Sequence, residues 1–369
     1  MYARTAAAMK IFQTLTQGEL ADLLVPLSRP KRLSDKSNQI EIETKKIKQA
    51  RYRAKQIFHW YYQRSVRDWD LMTDLAKELR EWCKLNLKIY EFQKREEINA
   101  SDGTTKFVWW TEDNRTIESV LIPADEEVSR LTACVSSQVG CAMDCGFCST
   151  GGQGFERNLE VHEIVAQIHE LKMMAPVTNV VFMGMGEPLN NFETVTKSCR
   201  IILDQDGLNF SKRKVTISTC GIVPKIDELG KTLDVSLAVS LNATTDEQRN
   251  RIMPINRKWN IASLLEACRR FPLGSHRRIT FEYVLLKDFN DTDLDAERLT
   301  KLVRGIPSKI NLIVYNEFPG SEFRKPEEEK VKKFQRILMD NGLTALVRAS
   351  RGQEILAACG QLRSRTGST

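Results

Sequence analysis

Apolar and polar positions follow a regular alternation through most of this chain of 369 residues. From residue 130 onward, short apolar runs recur with amphipathic stretches between them, a pattern typical of alternating strands and helices. The predicted strands are LTACVSS, TNVVFMG, KVTISTC, DVSLAVSL, ITFEYVLL and KINLIVY, and the predicted helices lie near residues 160–174, 192–205, 223–231, 260–271, 294–304 and 327–341. Six such βα units predict an α/β fold, either an open doubly wound sheet or a partial TIM-type barrel, with its chemistry at the carboxyl ends of the strands.

The first third of the chain follows a different pattern. Residues 10–28 predict one short amphipathic helix, RPKRLSDKSNQ a polar linker, and residues 105–123 a β-hairpin that carries Glu118 in its second strand. Two further helices are predicted, with apolar faces formed by Ala54, Ile57, Phe58 and Tyr61 and by Leu71, Leu75, Leu79 and Trp82. We therefore expect a helical domain over residues 1–98, a hairpin linker over 99–129, the βα body over 130–360 and a flexible tail over 361–369.

The distribution of charge along the chain indicates what kind of partner the N-terminal domain could bind. The chain has a net charge of +7, and residues 29–95 hold 18 Lys or Arg against 9 Asp or Glu, so the basic surplus belongs to the N-terminal domain. A basic face favours a polyanion, either RNA or DNA, although about half of such faces serve only solubility. Arg51, Arg53, Lys55 and Arg64 are the candidates for phosphate contact. The start of the chain lacks the apolar core of a signal peptide, so we expect a cytoplasmic protein with reduced thiols.

The most specific chemical signal is the stretch GCAMDCGFC after the first strand of the body, where Cys141, Cys145 and Cys148 follow a CxxxCxxC spacing. Structural zinc normally takes four protein ligands, and no second CxxC pair or nearby His completes a set here. Thiolates also hold iron–sulfur clusters, and three cysteines on a four-iron cluster would leave one iron open to another ligand. The spacing therefore favours an iron–sulfur cluster over zinc.

This motif resembles that of the radical S-adenosylmethionine (SAM) enzymes, whose open iron binds the amino and carboxylate groups of SAM. GMGEP at residues 184–188 resembles their SAM-binding turn, and the resemblance implies a six-fold partial TIM-type barrel. CVSSQVGCAMDCGFCSTGGQGFERNL, VVFMGMGEPLNN and RASRGQEILAACGQL are together similar to the RlmN/Cfr subfamily of RNA adenine methyltransferases. QGFERNL favours the RlmN branch, which methylates carbon 2 of adenosine in 23S ribosomal RNA and tRNA, over the Cfr branch, which methylates carbon 8.

The resemblance implies a 4Fe-4S cluster on Cys141, Cys145 and Cys148, and two SAM molecules per turnover. One methylates Cys359, and the second provides the radical that activates the S-methyl group. Glu118 then accepts a proton from the RNA adduct, and Cys134 resolves the adduct through a disulfide with Cys359, which requires Cα atoms within about 7 Å. The implied SAM contacts are Gly186, Glu187, Ser218, Ser240, Leu241, Asn242 and Asn316.

The implied partners are 23S rRNA, tRNA and an electron donor such as flavodoxin or ferredoxin, with no membrane and a monomeric state. Two alternatives remain open from the sequence. One is a carbon 8 methyltransferase with the same catalytic residues. The other is a non-catalytic iron–sulfur RNA-binding sensor, which would give no role to Cys134 and Cys359.

Overall fold

The structure, a computed structural model, describes residues 9–29, 39–124 and 130–363. Backbone packing divides the chain into two compact units. The first comprises the residues up to Glu91 together with Glu160–Ala175 and Lys197–Ser211, and the second comprises Phe92–Leu159, Pro176–Thr196 and the chain from Lys212 onward. The predicted linker after residue 29 lies mostly outside the described residues.

The first unit is helical, as its amphipathic pattern indicates. It contains α1 (Gln17–Leu24), α2 (Gln39–Phe58), α3 (Lys77–Asn86) and α4 (Val161–Met174), and a short parallel pair of β1 (Lys10–Ile11) with β2 (Leu87–Lys88). The predicted faces of α2 are confirmed, because Ala54, Ile57, Phe58 and Tyr61 are all buried.

Two helix predictions in this unit start too early. The expected helix over residues 10–28 begins only at Gln17, because Thr16 and Glu19 form a capping box that fixes the helix start there. The helix expected from Leu71 begins at Lys77, and Leu71 itself is 60% exposed at the end of a short 3₁₀ turn. Apolar spacing alone does not mark a helix start when a capping residue lies inside the run.

The second unit is built on one ten-stranded sheet. Its antiparallel end is β3 (Gln93–Asn99), β4 (Thr105–Trp110) and β5 (Thr116–Pro123), which includes the predicted hairpin. Seven strands follow in parallel: β6 (Leu131–Cys134), β9 (Asn179–Phe182), β10 (Val215–Thr219), β11 (Ser236–Ser240), β12 (Ile279–Leu285), β13 (Ser308–Val314) and β14 (Ala345–Arg348). Between β6 and β9, β7 (Gln138–Gly140) pairs with β8 (Phe155–Asn158) in a separate two-stranded sheet.

The parallel strands lie side by side in the order in which they occur along the chain. A doubly wound sheet would reverse this order at a switch point, so the topology is that of the predicted partial barrel. The intervening helices are α4, α5 (Phe192–Leu203), α6 (Val223–Thr232), α7 (Asp246–Ile252), α8 (Ile261–Arg270), α9 (Asp293–Leu302) and α10 (Glu328–Asp340). The six predicted strands and six predicted helices are confirmed, while β3, β7, β8, β14 and α7 were not predicted.

The first residues of the predicted tail, 361–363, are the last that the structure describes, and two of them pack into the body. Gln361 and Leu362, which belong to the predicted tail, are buried, and Gln361 Nε2 donates to the carbonyl of Glu317 over 2.8 Å. Among the helices described here, none has the length and apolar character needed to cross a bilayer.

Candidate active site

The three motif cysteines lie on a tightly folded loop after β7. The backbone N–H of Cys141 donates to the carbonyl of Gly154 over 2.8 Å, and that of Cys148 to the carbonyl of Cys145 over 2.9 Å. The N–H of Gly146 donates to the carbonyl of Ile252 at the end of α7 over 2.9 Å. These bonds hold the loop against the carboxyl ends of the parallel strands, where the fold places its chemistry.

The cysteine loop borders a cavity of about 160 Å³ at these strand ends, which is the main cavity of the candidate site. The cavity collects side chains from widely separated parts of the sequence, which is what a binding site in a parallel α/β fold requires. Of the sequence-predicted site residues, it is lined by Cys141, Cys145, Cys148, Gly186, Glu187, Ser218, Ser240, Asn242 and Cys359. Leu241, Asn316, Cys134 and Glu118 lie outside this lining.

The GMGEP turn follows β9 and fits closely against the chain after β6. A Cβ atom on Gly184 would lie 2.7 Å from the backbone of Val135, and one on Gly186, whose φ is +97°, would lie 2.5 Å from Cβ of Gln138. Both glycines are therefore required for backbone approach between two strand ends. The close packing of the two strand ends thus explains the glycines of the turn that resembles a SAM-binding turn.

The carboxylate of Glu187 accepts hydrogen bonds from two backbone N–H groups. Its Oε1 accepts from the N–H of Leu189 over 3.0 Å and its Oε2 from the N–H of Cys220 over 2.8 Å. Burial raises the pKa of Glu187, and these hydrogen bonds oppose that rise. The carboxylate thus ties the end of β10 to the turn after β9, while each oxygen keeps a lone pair that can face the cavity.

The other predicted SAM residues divide into two groups. Ser218 and Ser240 expose their side chains to the cavity from β10 and β11. Asn242 also borders it, with its Oδ1 accepting from the N–H of Val284 over 2.8 Å. Leu241 is fully buried, and Asn316 donates to the carbonyl of Cys359 over 3.2 Å, so Asn316 supports the segment that carries this cysteine.

The positive charge of Arg348 acts to lower the pKa of both Cys134 and Cys359, against the effect of burial. Arg348 at the end of β14 borders a second cavity, of about 30 Å³, together with Cys359. Burial raises the pKa of Cys134 to about 12, and the charge of Cys359 adds to this rise. The side chain of Cys359 is exposed at the cavity. Desolvation by the surrounding protein raises the pKa of its thiol, and the positive charge of Arg348 opposes that rise.

All nine cysteines are free thiols in this structure. The disulfide predicted between Cys134 and Cys359 is therefore unsupported. The resemblance implies this bond only after one step of the reaction, and the structure contains the reduced form. Cys220 borders the main cavity close to Ser218, whereas Cys83, Cys199 and Cys268 are buried on α3, α5 and α8.

Glu118 lies on β5 in a second buried polar cluster. Its Oε1 is 3.3 Å from Nζ of Lys106 on the neighbouring strand β4, and both side chains are only 2% exposed. Its Oε2 accepts from the N–H of Arg363 over 3.1 Å. Lys106 also donates to the carbonyl of Leu356 over 3.3 Å, so this pair contacts the segment on either side of Cys359.

Arg249 on α7 is a site residue that sequence reasoning missed. It is fully buried, and it donates to the carbonyls of Leu241, Cys220 and Ser240 over 3.0, 2.6 and 3.0 Å. A guanidinium has five donors and can join several carbonyls at once. Arg249 therefore holds the ends of β10 and β11 together beside the cavity.

The side chains fit an iron–sulfur cluster with SAM next to it. Three thiols border one end of a single cavity, and each could bind a different iron of a four-iron cluster. Among the described residues, no three His, Cys, Asp or Glu side chains converge on a position for one metal ion. Glu282 also lines this cavity, and its buried Oε2 has no hydrogen-bond partner within the described part of the chain, as expected where a polar ligand binds.

The fold and this donor set define a radical SAM protein. Residues 135–299 match the model of the radical SAM superfamily, and residues 36–89 match that of the ribosomal RNA large subunit methyltransferase N-terminal domain. A crystal structure of a radical SAM methyltransferase from Sphaerobacter thermophilus is 40% identical, with a TM-score of 0.83 over 96% of this chain and 99% of that one.

Two relatives, both named RlmN, are about half identical to this chain over most of its length. The dual-specificity RNA methyltransferase RlmN 2 of Myxococcus xanthus (strain DK1622) is 51% identical over 87% of both chains. The dual-specificity RNA methyltransferase RlmN of Syntrophotalea carbinolica (strain DSM 2380 / NBRC 103641 / GraBd1) is 50% identical over 85% of this chain and 84% of its own. The chain belongs to the RlmN family of radical SAM proteins, whose cofactors are a 4Fe-4S cluster and SAM.

Proposed function

We propose that this chain methylates carbon 2 of adenosine in 23S rRNA and in tRNA, and that the methyl group passes through Cys359. The observation that carries this proposal is the position of Cys359, which comes from the C-terminal end of the chain and borders the same cavity as Cys141, Cys145 and Cys148. A thiol at that place can accept a methyl group from a cofactor bound beside the cysteine loop. A sensor would need no such thiol.

Carbon 2 of adenine is an electron-poor ring carbon, so it does not attack a methyl group as a nitrogen nucleophile would. When bound, the cluster and SAM supply the methyl group and the one-electron chemistry that activates it. Cys359 carries the carbon and becomes joined to the base through it. Glu118 accepts the ring proton. The Cys134 thiolate attacks the sulfur of Cys359, so that the S–S bond forms as the bond between that sulfur and the transferred carbon breaks. The carbon takes up a proton to complete the methyl group of the released RNA, and the one electron left over would return to the bound cluster.

Glu118 suits the role of proton acceptor because it is a buried carboxylate held in one orientation. Nζ of Lys106 lies 3.3 Å from its Oε1, and the N–H of Arg363 donates to its Oε2, so both oxygens are fixed in place. A base positioned in this way typically contributes about 10² to 10⁴ in rate. The N–H of Arg363 and the contact of Lys106 with Leu356 connect this group to the Cys359 segment.

The N-terminal domain supplies the charge for RNA binding in this proposal. Arg51, Lys55 and Arg64 are exposed along and just after α2, and Arg64 stacks over the Trp60 ring at 4.3 Å. Arg53 is half-buried and donates to the carbonyl of Leu27, so it is less available to a phosphate. The target adenosine must leave its stack to reach the cavity, so recognition depends on RNA shape.

The remaining parts of the proposal concern organisation and partners. We assign RNA binding to residues 1–98, the hairpin with Glu118 to residues 99–129 and the cofactors to residues 130–360. A one-electron donor such as flavodoxin or ferredoxin would reduce the cluster, and the protein would act as a monomer in the cytoplasm. Gly186, Glu187, Ser218, Ser240 and Asn242 would contact SAM from the cavity wall, with Leu241 and Asn316 acting through the backbone and the Cys359 segment.

Two cysteine variants test this mechanism. With reconstituted cluster, SAM, reductant and RNA, Cys134→Ala should accumulate a covalent protein–RNA adduct, because the thiol that breaks it is gone. Cys359→Ala should give neither adduct nor product, because the methyl carrier is gone. The matched control is Cys268→Ala, a buried cysteine on α8, which should behave as wild type. Methylated RNA from Cys359→Ala would overturn the proposal.

A further inference from the structure

Glu282 is a buried carboxylate at the main cavity to which the proposed mechanism gives no task. Its side chain is 4% exposed on β12. Nδ2 of Asn311 donates to its Oε1 over 3.0 Å, which fixes the orientation of the carboxylate. Oε2 has no hydrogen-bond partner within the described part of the chain. Buried polar atoms are almost always paired, so this oxygen indicates a place where a donor from a ligand belongs.

The strand register shows which way this carboxylate faces. Glu282 pairs with Ser240 on β11 and with Asn311 on β13. Since side chains alternate along a strand, in-register neighbours lie on the same face of the sheet. Ser240 and Glu282 both border the main cavity, so they form one polar row along its wall.

The strand order places this row away from the cysteines. The cysteine loop follows β6 and β7, and Glu187 follows β9, whereas Glu282 lies three strands further along the sheet on β12. If the cysteine loop and Glu187 hold the amino and carboxylate end of SAM, then Ser240 and Glu282 are among the cavity residues that are left for its other half. The first polar groups in that half are the two ribose hydroxyls.

We propose that Oε2 of Glu282 binds the ribose hydroxyls of SAM and thereby orients the cofactor relative to Cys359. A carboxylate is an acceptor without a proton of its own, and neighbouring 2′ and 3′ hydroxyls are two donors at matching spacing. Carboxylates bind ribose hydroxyls in the same way in dinucleotide-binding folds. This inference rests on the proposed function for the place of Cys359, and it adds Glu282 as a positioning residue.

The charges around Glu282 suit this task. Burial raises the pKa of the Glu282 carboxyl, and the Arg348 guanidinium opposes that rise. Lys309 on β13 acts in the same direction as Arg348. The two cations favour the ionised carboxylate, which accepts hydrogen bonds from both hydroxyls more strongly than a neutral acid would.

The test is a binding cycle that requires no turnover. Equilibrium dialysis would measure the Kd of SAM, 2′-deoxy-SAM and 3′-deoxy-SAM for cluster-loaded wild type and for Glu282→Met, which keeps the side-chain volume. We expect Glu282→Met to weaken SAM binding about 10- to 100-fold, the range for a hydrogen bond to a charged group. Removing a hydroxyl should weaken binding to wild type and should have little further effect on the variant.

Controls separate this inference from the function on which it rests. Glu282→Gln keeps the shape and an acceptor for Asn311, so it guards against misfolding and should retain part of the discrimination between SAM and the deoxy compounds. Glu266→Gln, an exposed residue on α8, should bind as wild type does. A deoxy penalty as large in Glu282→Met as in wild type would overturn the inference alone. No SAM binding to fully loaded wild type would overturn the proposed function together with it.

Discussion

The buried pair of Lys106 and Glu118 gives the sharpest energetic prediction. Their charged atoms are 3.3 Å apart, and each side chain is only 2% exposed. Lys106→Met would keep most of the side-chain volume and would remove the ammonium group that forms this ion pair. The variant therefore isolates what happens to a buried charge when its partner is lost.

The expected magnitude follows from desolvation. Removing one partner of a buried ion pair typically costs about 3–5 kcal/mol, because the remaining charge is left uncompensated, whereas replacing both partners costs far less. Lys106→Met should therefore lower the free energy of unfolding by about 3–5 kcal/mol. The double variant Lys106→Met/Glu118→Gln should lose less than the sum of the two single variants, with a coupling free energy of about 1–3 kcal/mol.

Urea unfolding followed by circular dichroism measures these free energies for the four members of the cycle. The matched control is Lys94→Met on β3, whose ion pair with Glu97 is exposed on both sides. Such surface pairs contribute about 0–1 kcal/mol, so this variant should change stability little. If the losses from Lys106→Met and Glu118→Gln simply added, the two charges would not depend on each other and the reasoning would fail.

Three further predictions concern other parts of the chain. Arg249→Met leaves the carbonyls of Cys220 and Ser240 without their buried donor, so backbone amides at the ends of β10 and β11 should exchange hydrogen faster; unchanged protection would contradict this. Burial lowers the pKa of the His169 imidazole from 6.5 to about 3, so the unfolded chain takes up this proton before the folded chain does as the pH falls. The free energy of unfolding should therefore be unaffected by this group above pH 6.5 and should fall by about 1.4 kcal/mol per pH unit between pH 6.5 and about 3. His169→Gln should flatten this acid slope in urea titrations, and an identical slope would refute the assignment. Arg51→Ala and Lys55→Ala should each lower the slope of log Kd for RNA against log salt by about one, whereas an unaltered slope would exclude them from phosphate contact.

Much of the second unit could be predicted because its strands and helices carry strong periodic patterns. Two of the elements that were not predicted, β14 and α7, have weak periodic patterns. β14 has only four residues, and its Leu346 and Val347 are 50% and 38% exposed, so no buried run marks it. α7 reads DEQRNRI, and one of its two buried side chains is Arg249, whose polar character conceals an inward face.

The candidate site likewise combines residues that the sequence reveals with residues that only the fold brings together. The spacing of Cys141, Cys145 and Cys148 is local, so the sequence displays it directly. Lys106 and Glu118 meet only because β4 and β5 pair with a register that places them within reach, and spacing along the chain does not reveal that distance. Glu282 interrupts the apolar run ITFEYVLL, and a charge inside a buried strand was the signal that could have identified it.

Nucleoside analysis of the methylated RNA identifies which atom of adenosine carries the new methyl group. The protein would be reconstituted anaerobically with iron and sulfide and incubated with SAM, a reductant and unmodified 23S rRNA or tRNA. The RNA would then be digested for nucleoside mass spectrometry. Our account predicts 2-methyladenosine in both RNAs. 8-Methyladenosine would contradict the assignment of carbon 2, and the absence of any methyladenosine from a fully loaded cluster would contradict the methyltransferase mechanism itself.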